Sequence, residues 1–213
     1  MKPLLAVFAL IAGAFLLQRV AGYFLVPLVN SWMGRAIGHA ALAQQPDAIH
    51  LDETSPDAWR DHEAAHALGN AFLEQGFADG GTHRVEEMHG VRVRLLAHEG
   101  ERLYAVVYEH PQAGLWCDVV AGYEDGRSIT FTTASPTGLS PRPGHVIVHV
   151  PPTSPSSLID RLRHERPSGA LRPATRAAVV HDFETAYADS TAWRKRRGIT
   201  AGEVTQVAAP KAA

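Results

Sequence analysis

Cysteine and lysine are nearly missing from this sequence. The single cysteine, Cys117, excludes an intrachain disulfide framework and any zinc site built from several thiolates. Only three lysines accompany 17 arginines, and acids and bases nearly cancel. A net charge of -2 and a pI near 6.6 leave no global electrostatic footprint for nucleic acid. There is no internal repeat, no glycine-rich nucleotide loop and no serine-elbow motif. Nor is there the low hydrophobicity of a disordered chain: 46% of the 213 residues are hydrophobic, enough for one ordinary domain or two small ones.

What is present begins with a mean hydropathy of -0.10, high for a soluble domain, so the apolar content must be concentrated somewhere. It sits at the front. Lys2 precedes an uncharged run from Pro3 to Leu17, Gln18 and Arg19 interrupt it, and a second apolar run extends from Val20 to Val29. Together they are long enough for a tilted transmembrane helix, for which about 20 apolar residues suffice. The first run alone has the length of a signal-peptide core, but no small-x-small cleavage site follows promptly: Ala12-Gly13-Ala14 lies inside the run and Ala41-Leu42-Ala43 far beyond it. The expectation is a single-pass membrane anchor over residues 1–31, touching the bilayer through residues 3–29; a cleaved signal peptide and a buried core helix are the other readings. Lys2 and the terminal amine balance Arg19 and Arg35, so sidedness stays open.

Residues 32–51 read as a juxtamembrane connector, residues 52–208 as one folded domain and residues 209–213 as a frayed tail. Ser55, Pro56 and Asp57 form a helix start, and the apolar arc of Ala65, Leu68 and Phe72 carries that helix to Gln75, where Gly76 ends it. After Gly80 and Gly81 the period changes to two. Val91, Val93 and Leu95 alternate with Arg92 and Arg94, and runs at 103–109, 115–123 and 128–133 follow, separated by turn chemistry. A proline-rich loop leads to an edge strand in which Val146, Val148 and Val150 oppose His145, Ile147 and His149. Helices are expected from Ser154 to before Pro167 and from about 174 to 197, with capping-box spacing at Thr200 and Glu203. The fold class is α+β: an N-terminal membrane-associated helix, then an antiparallel β-meander of four to five strands with helices. Both the 55–75 and 174–197 helices are expected on one face of the sheet.

One motif carries chemistry. His62-Glu63-Ala64-Ala65-His66 matches H-E-x-x-H on a helix, where histidines four apart share a face and can both ligate zinc while the glutamate polarises a bound water. The pattern resembles that of zinc metallopeptidases. Thermolysin-like enzymes take a third ligand from a glutamate twenty residues after the second histidine, a separation at which Glu86 stands. The resemblance implies zinc held by His62, His66 and Glu86, with Glu63 as general base. It covers five residues and a spacing, and it departs from the family pattern in that Glu86 borders a strand where the family has a helix.

Among other candidates, His145 and His149 lie about 13 Å apart on a strand, too far to share one metal. His83, Glu86, Glu87 and His89 form a denser polar group, and the loop from Gly138 to Gly144 offers Arg142 to an anion or to solvent. Cys117 reads as a buried thiol. Trp193-Arg194-Lys195-Arg196-Arg197 complements a helix dipole, or faces anionic lipid if cytoplasmic. The leading expectation is a membrane-anchored, non-enzymatic accessory or interaction protein of a bacterial-type envelope, with no catalytic residue, no cofactor and no nucleic-acid partner. The alternative is a zinc-dependent metallohydrolase.

Overall fold

The computed structural model describes residues 42–200 and 202–203. The expected anchor at 3–29 and the tail at 209–213 lie outside the described residues. No helix among those described is long and apolar enough to cross a membrane.

The domain is α+β. Seven strands, β1 (Leu51–Glu53), β2 (Ala78–Val85), β3 (Arg92–His98), β4 (Leu103–His110), β5 (Gly114–Gly122), β6 (Ser128–Thr132) and β7 (His145–His149), form one sheet in chain order. Three α-helices lie wholly among the described residues: α1 (His62–Glu74), α2 (Pro155–Glu165) and α3 (Val179–Arg197). The count of four to five strands is therefore too low. β1 is too short to show a period, and β2 hides behind Gly80 and Gly81, which form a bulge inside the strand and not a turn before it. A Cβ on Gly80 would meet Val179 Cγ1 at 2.6 Å, so glycine there lets α3 approach the sheet closely.

All neighbours pair antiparallel up to β6, but β7 runs parallel to it, with Ser128 opposite His145 and Thr132 opposite His149. The meander expectation fails at this last step. A parallel neighbour requires the chain to travel back along the sheet, and the proline-rich residues 133–144 make that return without a helix.

The sheet is covered on both faces. Phe72 and Ala65 of α1 and Leu158, Ile159 and Leu162 of α2 pack with Leu103, Ala105, Val107, Cys117, Val119 and Phe131 on one side. Val179, Val180 and Phe183 of α3 pack with Val93, Leu95, Val106 and Tyr108 on the other. The helices expected on one face thus lie on opposite faces. Binary patterning marks which positions are apolar, yet strands buried on both sides do not say which helix covers which side.

Residues 55–75 are not one helix. Ser55 caps a 3-10 turn over Pro56–Ala58, Trp59 is extended, and α1 begins after a second cap, Asp61, whose carboxylate accepts from Ala64 N at 3.1 Å. The buried Glu109 of β4 causes the break: it accepts from Arg60 N at 3.0 Å and Asp61 N at 3.1 Å, amides that a continuous helix would use internally. At the other end Gly76, with φ 87°, closes α1, its N–H donating to Leu73 O while Phe77 N–H donates to Phe72 O. The residues expected as a connector join the domain from Leu42 onward: Ile49 packs with Val85 and Val91, and Tyr187 Oη donates to Pro46 O at 3.3 Å.

Candidate functional site

His62, Glu63 and His66 lie on the first turns of α1, the first two exposed and His66 half-buried. The imidazole rings are 6.1 Å apart edge to face, and His66 Nε2 donates to the Pro56 carbonyl at 3.2 Å. Glu86 does not join them. It sits after β2, beside His50 and Glu87, and these three form the metal-capable group found among the described residues. His50 Nδ1 meets Glu87 Oε1 at 2.6 Å, and the same carboxylate accepts from His50 N at 2.9 Å. That contact holds the hydrogen-bonded His50 above its usual pKa. The three groups are exposed and tie the incoming chain to the β2–β3 turn. The thermolysin-like ligand set therefore does not assemble, because the strand pairing carries Glu86 to the β1 edge of the sheet.

The sheet offers concavity at its other end. α3 covers only part of its face, and over β5, β6 and β7 the return loop arches in its place. Between loop and strands lies a cleft of about 410 Å³, floored by Trp116, Asp118, Thr130, Thr132, Ile147 and His149. Register puts Asp118 beside Thr132, and Thr132 beside His149, in one row across three strands. The loop side runs from Ala134 to Pro141.

Asp118 is the electrostatic centre of this cleft. Burial pushes its carboxyl up to about 6, against the opposing pull of the Thr132 and Tyr108 hydroxyls and of His149. Its Oδ1 is buried and has no hydrogen-bond partner. Tyr108, whose hydroxyl is also pushed up by burial, stacks on Trp116 with ring centroids 4.8 Å apart and leans on Phe183 of α3. The floor is thereby braced from the α3 side. His149 Nδ1 donates to Ala134 O at 2.9 Å, which fixes the loop entrance and leaves Nε2 as an acceptor in the neutral ring.

The loop is also strapped to α3. Ser140 N donates to Glu203 Oε1 at 2.8 Å, and Ser140 O accepts from Arg194 Nη2 at 2.6 Å. Arg142 reaches Asp189 at 3.5 Å, so it is paired within the fold. The basic cluster takes part in the same fastening. Arg194 and Arg197 meet Glu203 at 3.2 and 2.7 Å and lie over the Trp193 ring, while Lys195 binds Asp47 at 2.7 Å. Three of its four cations are thus committed to protein partners. Cys117, on the opposite face of β5 from Asp118, is buried and its thiol is pushed up to about 11, so it has the inert character expected.

Sequence reasoning placed Asp118 on a strand and His149 on the face opposite the valines, but did not bring them together. The available signal was an acid alternating inward between Trp116 and Val120, a position where a meander places apolar residues. The missing information was the parallel register of β7. No protein-family profile, curated protein or solved structure matches the chain.

Proposed function

We propose that the chain is a membrane-tethered accessory protein, non-enzymatic, whose folded domain captures a small organic molecule in the cleft under the return loop. One observation carries this reading: the concave, partly apolar cleft, of a size typical for small ligands, is lined by Asp118, whose buried Oδ1 has no hydrogen-bond partner. A folded domain does not leave such an atom buried without cost, and a ligand donor is a direct way to offset it. The Ser128–His145 contact, 2.7 Å long, lies outside the cleft lining and reads as a cross-strand hydrogen bond. The tether rests on the apolar runs between residues 3 and 29.

The test is a thermal-shift screen of the full-length chain against small organic molecules, repeated on Ile147→Trp. Ile147 is 45% exposed at the cleft floor, so the indole narrows the site without entering the core. Ligands that raise the unfolding midpoint of the wild type and not of Ile147→Trp support the reading. Ligands indifferent to that change remove the cleft from the function. Carbonate extraction tests the tether: a full-length chain that leaves with the soluble fraction overturns it.

A further inference from the structure

We propose that the ligand of this cleft is an organic cation, a primary ammonium or guanidinium group on a short carbon skeleton, with Asp118 as its counter-ion. The inference rests on the reading of the cleft as a binding site and adds the chemistry of what enters.

The polarity of the lining decides the sign. Among the described lining residues Asp118 is the only acid, and neither lysine nor arginine is present. The nearby cations are occupied elsewhere: Arg142 by Asp189, and Arg194 by Glu203 and the Ser140 carbonyl. His149 donates through Nδ1 to the loop, and in the neutral ring its remaining nitrogen accepts. Among the described lining residues the buried polar atom without a partner is an acceptor, Asp118 Oδ1, and a donor would satisfy it. An ammonium or guanidinium supplies donors and charge together, whereas a carboxylate or phosphate brings only more acceptors.

Two further features fix the class as organic. Among the described residues Asp118 and His149 belong to no convergent group of three ligands such as a divalent-metal cage requires. Trp116 lines the same space while braced by Tyr108, and an indole attracts a cation and packs against methylenes. A volume of about 410 Å³ leaves room for a carbon skeleton behind the charged head.

The experiment uses three probes of one size, n-butylammonium, n-butanol and n-butyrate, titrated into the full-length chain at pH 7.5 and followed by tryptophan fluorescence. Trp116→Phe identifies the part of the signal that belongs to the cleft. Binding of n-butylammonium, weakened roughly tenfold or more in Asp118→Asn, is the expected result. Ile147→Arg, a change at an exposed position, is expected to weaken the ammonium as well and so provides an arm independent of Asp118. If butanol or butyrate binds as tightly as the ammonium, the charge assignment is overturned while the cleft remains a binding site. If no probe changes the Trp116 signal, both the inference and the reading beneath it fall.

Discussion

Glu203 Oε1 accepts the backbone N–H of Ser140 at 2.8 Å, and this single contact joins the end of the described chain to the loop that roofs the cleft. The same carboxylate closes a capping box with Thr200, whose N and Oγ1 both donate to it at 2.9 Å, and it pairs with Arg194 and Arg197. Only 3% of Glu203 is exposed. Burial alone pushes its carboxyl up, but hydrogen bonds from Arg197, Thr200 and Ser140 outweigh it and hold the group well below the usual 4.5.

Glu203→Gln should therefore loosen the roof. It leaves Arg194 and Arg197 without their counter-ion, at a cost of roughly 2–4 kcal/mol in unfolding free energy. Because the folded pKa is depressed, the contribution of Glu203 is complete above about 4.5 and is lost as pH falls below it. Hydrogen exchange provides the local readout: the Ser140 amide should lose protection in the variant at pH 7, and unchanged protection there would sink the strap.

Asp118→Asn should act in the opposite direction. The folded pKa, about 6, lies above the ordinary aspartate value of 3.8, so the ionised acid destabilises the fold as pH rises through that interval. Replacing it with a neutral amide should raise stability by roughly 1–3 kcal/mol at pH 8 and by little at pH 4. Denaturant unfolding of both chains at the two pH values checks this. A stability difference that does not change with pH would mean that the carboxyl is not the titrating group.

How much of this was legible beforehand differs by feature. The caps at Ser55, Ser154 and Gly76, and the reciprocal Thr200–Glu203 box, are local chemistry, and each appears in the structure as a hydrogen bond or turn. β3 to β6 were readable because alternation and turn residues lie within a few positions of one another. The Gly80–Gly81 bulge was not, since a glycine pair written for close helix approach looks the same as one written for a turn. The cleft was least legible. Its floor is drawn from β5, β6 and β7, and only the register between distant segments assembles the row Asp118, Thr132 and His149.

Gly69 and Arg94 give a prediction on the other face. A Cβ on Gly69 would collide with the Arg94 guanidinium, which pairs with Asp79 at 2.6 Å. Gly69→Ala gains about 1 kcal/mol of helix propensity, and displacement of Arg94 from its pair should outweigh it. Asp79 is 40% exposed, so solvent screens the pair and the net loss should be small, roughly 1 kcal/mol. The control is the same substitution in an Arg94→Met background, where the alanine should become neutral or stabilising. An equal loss in both backgrounds would show that Arg94 is not the cause.

The H-E-x-x-H segment gives the last prediction. His62 and His66 share an exposed helical face, but Glu86 has been drawn to His50 and Glu87, and Pro56 O engages His66 Nε2. Two imidazoles without a third convergent ligand among the described residues fall short of the three protein ligands that a catalytic zinc requires. Full-length chain incubated with zinc and dialysed should therefore retain no stoichiometric metal through this pair, and His66→Ala should leave the zinc content unchanged. One zinc per chain, lost in His66→Ala, would restore the hydrolase reading. Zinc lost instead in His50→Ala would place it at the β2–β3 turn, where the glutamate at the thermolysin-like spacing has gone, and would leave the helix motif without a metal.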